Sequence, residues 1–198
     1  MNAGAIVLCG GKSTRMGTSK ALLPFGSETM LQRVVRLLSG VVSPIVVVAA
    51  VEQPLPELPP DVIVTRDERD ARGPLEGLRA GLKALPPDVD AAYVTSCDVP
   101  LLEPAFVCEM LEFAEGFDVA VVCIDGFDHP LSAVYRRSVL PHVEGLLAKD
   151  RLRPAFLFDA LRTRRIGADQ ITSDPQLRTL RNLNTREEYE RALGDAGL

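Results

Sequence analysis

Histidine and positive charge are both scarce in this chain. Only His129 and His142 occur in 198 residues, far from zinc-finger spacing. The four cysteines, Cys9, Cys97, Cys108 and Cys123, form no C-x-x-C pair, so a zinc or dithiol motif is not expected. No Ser/His/Asp or Cys/His constellation stands out either. The net charge of −5 and pI of about 5.1 lack the basic footprint of a dedicated nucleic-acid binder. No apolar run approaches a membrane span. Met1-Asn2-Ala3-Gly4 leads into a strand-like run without the charged and apolar regions of a secretory leader, so a cytoplasmic protein is expected. Repeats and low-complexity tracts are absent.

What remains is an ordinary globular composition, 46% hydrophobic and 25% charged. A chain of this length buries a core without disulfides. The cysteines therefore read as reduced, mostly buried thiols, in keeping with a reducing compartment.

Short apolar runs alternate with helical patterns. Ala5 to Cys9, Ile45 to Ala50, Asp61 to Thr65, Ala91 to Thr95 and Asp118 to Cys123 read as strands. Met30, Leu31, Val34, Val35 and Leu38 recur at helical spacing, as do Leu75, Leu78, Leu82 and Leu85. Phe106, Val107, Met110 and Leu111 mark a third helix. Strands that are apolar throughout belong to sheets covered on both faces. The order predicts a doubly wound α/β fold, with a mostly parallel, Rossmann-like sheet between helices. A small antiparallel extension is expected in the C-terminal half, from Leu131 to Tyr135, followed by helices near 137–148, 154–160 and from 186.

The first strand ends in Leu8-Cys9-Gly10-Gly11-Lys12-Ser13-Thr14-Arg15-Met16-Gly17-Thr18-Ser19-Lys20. Ligands bind at the carboxyl ends of strands in such sheets. Paired glycines bring backbone N–H groups close to phosphate oxygens, and Lys12, Arg15 and Lys20 add positive charge. This is neither a Walker A loop, which would need glycine at Ile6, nor a G-x-G-x-x-G fingerprint. The plain alternative is a Gly-Gly turn carrying solvated lysines.

The segment Leu8 to Pro24 resembles the signature of the MobA-like nucleotidyltransferases, the family of the molybdenum cofactor guanylyltransferases. Asp67 with Gly73-Pro74-Leu75-Glu76-Gly77, Ser96-Cys97-Asp98-Val99-Pro100, His129-Pro130-Leu131-Ser132-Ala133-Val134-Tyr135 and Asn182-Leu183-Asn184-Thr185 extend the likeness over nearly the whole chain. Glu76 departs from the family's alanine. The resemblance implies a single domain, 1–198, with a nucleotide-binding half to about 124 and an acceptor-binding half from about 125. It implies that Leu8, Cys9, Gly10, Gly11, Lys20, Asp67, Gly73, Pro74, Leu75 and Asp98 bind the nucleotide. Arg15, Lys20 and Asp98 would be catalytic: Arg15 at the β/γ-phosphates, Lys20 at the α-phosphate, Asp98 as the Mg²⁺ ligand. Asn182 and Asn184 would contact the acceptor.

Several of these residues also have plainer readings. Gly73-Pro74 suits a helix start, Asp98 a helix cap, and Thr185 with Glu188 a capping box. His129 stays outside catalysis. Residues 136–165 hold eight cations against three acids, a local excess suited to an anionic acceptor or simply to a solvated face.

The implied activity is Mg²⁺-dependent transfer of GMP from GTP to a molybdopterin-type acceptor by a cytoplasmic monomer, with cofactor-delivery proteins as further partners and neither nucleic acid nor membrane. Leu8-Cys9-Gly10-Gly11 sits on the guanine side of the family, whereas Ala49-Ala50-Val51 lacks the asparagine common after the second strand of guanylyltransferases. A cytidylyltransferase, a guanylyltransferase for another phosphorylated cofactor and a non-catalytic nucleotide-binding domain stay open.

Overall fold

A computed structural model of the chain describes residues 1–10, 19–67 and 73–198. Its core is a seven-stranded sheet. Strands β1 (Ala3–Leu8), β4 (Ile45–Ala49), β5 (Ile63–Arg66) and β6 (Ala91–Ser96) run parallel, with β2 (Pro24–Phe25) and β3 (Glu28–Thr29) forming a separate small hairpin. β7 (Val119–Ile124), β8 (Phe127–Arg136) and β9 (Thr163–Ile166) complete the sheet in the order β5-β4-β1-β6-β8-β7-β9. β8 is the antiparallel strand, between β6 and β7. It begins at Phe127, before the expected Leu131, and Pro130 sits where its register with β7 shifts, as a residue without an N–H must. The edge strand β9 was not anticipated.

Helices cover both faces. On one lie α1 (Met30–Ser39) and α3 (Pro104–Phe113), on the other α2 (Pro74–Ala84), α4 (Leu140–Ala148) and α5 (Ala155–Phe158). α1 starts where the Thr29 hydroxyl accepts from the Gln32 amide and the Gln32 side chain accepts from the Thr29 amide. Its stripe Leu31, Val34, Val35 and Leu38 is buried, each side chain contributing about 1.5–3 kcal/mol. α2 lies unusually close to β1. A Cβ on Gly81 would stand 2.5 Å from Ile6 Cγ2, and one on Gly77 3.1 Å from Leu8 Cδ2. Glycines at i and i+4 thus let the start of α2 approach the carboxyl end of β1. The last helix, α6 (Arg186–Asp195), carries the expected Thr185–Glu188 capping box. It packs against Phe25, Met30 and Leu101 in a third, smaller cluster. Among the described residues no helix is long and apolar enough to cross a membrane.

Candidate active site

Register brings the ends of β1 and β6 side by side, with Leu8 opposite Ser96. The chain beyond each strand therefore emerges at one edge. Beyond β1, Leu8 and Cys9 are buried and Gly10 is exposed. Gly11 and Arg15, like Lys12, lie outside the described residues. The chain returns at Ser19, and a short 3₁₀ turn, Lys20–Leu22, presents Lys20. Beyond β6 comes Asp98, 9% exposed.

Lys20 Nζ lies 2.6 Å from Asp98 Oδ2 and donates to Asn184 Oδ1 at 2.8 Å. The other carboxylate oxygen of Asp98 accepts from the Ser96 hydroxyl. Asn184 is placed from below: the Leu183 amide donates to the Asp98 carbonyl at 2.9 Å, and Glu188 accepts from the Asn184 amide at 2.7 Å. The Asn184 and Thr185 amides hold the Glu188 carboxyl below its usual range, with nearby Lys20 a smaller cause. Asn182 adds its carbonyl, which accepts from the Asn184 side chain at 3.4 Å. It also lines a hollow of about 440 Å³ with Leu101, Leu183, Glu188 and Arg191. Asp98 is not a helix cap, since α3 begins six residues on with Glu103 at its N-cap.

A second group forms around Asp67. The residue follows β5, and its amide donates to the Ala49 carbonyl at 3.0 Å. Its carboxylate is wedged between two glycines: Oδ2 lies 3.2 Å from where a Cβ on Gly10 would stand, and Oδ1 3.6 Å from one on Gly77. Any side chain at Gly10 would crowd this carboxylate. Gly73, at φ 73°, turns the chain into α2 with Pro74 at its first turn. Leu75 is wholly buried. Glu76, also buried, pairs with Arg79 one turn on.

Cys9 and Cys97 approach one another, on neighbouring strand ends and in the same core cluster. Contact with the Cys97 thiol, and then burial, pushes the Cys9 thiol up, so Cys9 is not poised as a nucleophile. The cations of 136–165 do not gather into one patch. Arg136 and Arg137 bind the carbonyls of Phe117 and Pro86 at the opposite edge, where β8 ends against Ala91. Arg164 lies over Phe113, Arg151 over Phe156, and Arg165 pairs with Asp128 at 3.0 Å. Each of these five guanidiniums has a local partner. His129 is partly buried opposite Val122, and burial lowers its pKa.

Sequence reasoning overlooked Ser96 as a partner of Asp98, although it lay inside the quoted segment. It overlooked Gln53 entirely. This residue follows β4 in a proline-rich loop and carries no motif signal.

A model of the MobA-like NTP transferase domain matches residues 5–164. The chain belongs to that family. Its members are nucleotidyltransferases, and so is this chain. Two curated relatives carry the description "probable molybdenum cofactor guanylyltransferase". One, from Carboxydothermus hydrogenoformans, is 32% identical over 97% of this chain and 95% of its own length. The other, from Mycobacterium avium, is 37% identical over 99% and 97%. In fold the chain resembles the molybdopterin-guanine dinucleotide biosynthesis protein A of Archaeoglobus fulgidus. The TM-score is 0.81 at 19% identity, over 100% of this chain and 99% of that one.

Proposed function

We propose that this protein is a molybdenum cofactor guanylyltransferase, which transfers GMP from GTP to the terminal phosphate of molybdenum-bearing molybdopterin and releases pyrophosphate. The observation that carries the reading is the convergence of Lys20, Asp98 and Asn184 from segments up to 164 residues apart, at the edge where the glycine-rich loop leaves β1. The relatives' descriptions supply the substrates.

The reaction is an in-line displacement. An oxygen of the acceptor phosphate forms a bond to the α-phosphorus of GTP, and the bond to the bridging oxygen of the β-phosphate breaks. The acceptor oxygen is already ionised, so no general base is needed. Lys20 stabilises charge growing on the α-phosphoryl oxygens. Ser96 holds the Asp98 carboxylate in one orientation, and Asn184 limits where Lys20 can reach.

A divalent cation fits this donor set. Among the described residues no group of three or more His, Cys, Asp or Glu side chains converges, so a fully protein-ligated metal does not suit the site. Mg²⁺ suits it, because it takes one carboxylate and fills its remaining positions with phosphate oxygens and water. Asp98 would hold it, and bound Mg²⁺ would neutralise the triphosphate and the leaving pyrophosphate. The protein works in the cytoplasm as a monomer and passes its product to cofactor-delivery proteins.

The test is thermal stabilisation by GTP, CTP, ATP and UTP with and without Mg²⁺, followed by pyrophosphate release with molybdopterin present. A ligand that binds only the folded state raises the melting temperature by mass action. GTP is expected to give the largest shift, enlarged by Mg²⁺, and acceptor-dependent pyrophosphate release. Preference for CTP would make the protein a cytidylyltransferase. Small side chains at Ala49 and Ala50, beside Asp67, are what favour keeping that second reading.

A further inference from the structure

Gln53 stands outside every motif, yet its side-chain amide joins three segments of the site. Its Oε1 accepts from the Ala50 amide at 3.1 Å, fixing the turn after β4. Its Nε2 donates to the Cys9 carbonyl at 2.9 Å and to the Ser19 hydroxyl at 3.0 Å. Cys9 is where the chain leaves β1, and Ser19 immediately precedes Lys20. One planar group thus sets the distance between the two flanks of the glycine-rich loop.

Gln53 is itself held. Arg66, the last residue of β5, donates from Nη1 to the Ala50 carbonyl at 2.6 Å and to the Gln53 carbonyl at 2.8 Å. Bonds therefore run from the strand before Asp67, through Gln53, to the turn that carries Lys20. That turn is a 3₁₀ segment of three residues with no side-chain cap, seated on the core by the buried Ala21, and Gln53 holds the residue just before it. Both amide protons of Nε2 are engaged, which fixes which end of the side chain faces the loop.

We infer that Gln53 is a positioning residue, which holds Lys20 at the height the α-phosphate requires by clamping Ser19 to the Cys9 carbonyl. The inference rests on the nucleotidyltransferase reading and deepens it. It separates two tasks: Asn184 and Asp98 restrain the tip of Lys20, and Gln53 restrains its backbone.

The tests are Gln53→Ala, Gln53→Glu, Ser19→Ala and the double variant Ser19→Ala/Gln53→Ala, each in the full chain. Gln53→Glu still accepts from the Ala50 amide and can accept from the Ser19 hydroxyl, but it has no proton for the Cys9 carbonyl and repels it, so it keeps the turn and breaks the link between Ser19 and the end of β1. In Gln53→Ala and Gln53→Glu, kcat for pyrophosphate release should fall roughly tenfold or more, since small misplacements of a reacting group are costly. KM for GTP should move less than about threefold and the melting temperature little. A residue serving only the loop's fold would lower the melting temperature and leave kcat of the folded fraction intact. Ser19→Ala should show part of the loss and add little to Gln53→Ala, as partners in one contact do. Wild-type kcat in Gln53→Glu, or fully additive losses in the double variant, would overturn the clamp. Hydrogen exchange of the peptide spanning Ser19 to Leu23 supplies a readout independent of turnover. It should quicken in both Gln53 variants while β1 and β6 stay protected, and unchanged exchange would overturn the inference. Should the wild-type protein turn over no nucleotide at all, the functional reading fails, and this exchange measurement alone decides the clamp.

Discussion

Asp98 concentrates more of the proposed chemistry than any other residue, and its surroundings say how to test it. Ser96 and Lys20 occupy its two oxygens, and it is nearly buried. Asp98→Asn keeps the shape and removes the charge. Turnover should fall roughly 100-fold or more, on the scale of losing a group that stabilises transition-state charge. The melting temperature should shift by only a few degrees. Wild-type rates in this variant, measured as pyrophosphate release with Mg²⁺, would remove Asp98 from the reaction. The thiols nearby set a contrast. Cys9 and Cys97 are buried in mutual contact while Cys108 is exposed on α3. An alkylating reagent should label Cys108 readily in the folded protein and reach the buried pair only on unfolding, which peptide mapping would check.

Glu109 shows how one element disciplines another. From α3 it accepts the Thr172 amide at 3.0 Å, the Ser173 amide at 3.1 Å and both hydroxyls, pinning the segment after β9. Burial alone would raise its carboxyl, but these four donors win and bring it down to about 2 from 4.5. The folded state therefore favours the charged form. The stability it lends is full above pH 4.5 and is lost as the pH falls toward 2. Glu109→Gln should melt lower at neutral pH and show a shallower decline across that window. An equally steep decline would acquit this carboxylate. The same scale shows what a sequence discloses. The buried strands and the helices with clean apolar stripes were legible because their burial needs apolar residues at fixed spacing. β9 was not, because an edge strand of four residues reading Thr-Arg-Arg-Ile carries no usable alternation. The motif segments gave Lys20, Asp98 and Asn184 separately, since spacing says nothing of which loops meet. Gln53 was illegible for a related reason: its link to the loop lies in contacts to residues 34 and 44 positions away.

At the scale of the molecule, the C-terminal segment serves the site as much as the core. Leu183 and Ala192 close the third cluster over Phe25, Met30 and Leu101, and the Tyr189 ring meets Phe25 edge-on at 6.2 Å. Ending the chain after Arg181 would leave the sheet's own contacts but strip this cluster and the Asn184 side chain. The shortened protein should keep its circular-dichroism signature. It should melt lower by about 10 °C, the shift expected for a few kcal/mol in a chain of this size, and lose turnover. Full activity in it would show that α6 merely covers an apolar surface.

That arrangement also bears on how the protein comes into being. Asn184 is added 164 residues after Lys20. At about 5–20 residues per second, roughly 8–33 seconds of synthesis separate the two. Through that interval the nascent chain carries Lys20 without the Asn184 side chain that restrains it. Translation therefore acts as a timer, and the restraint on Lys20 arrives only once residue 184 has been made.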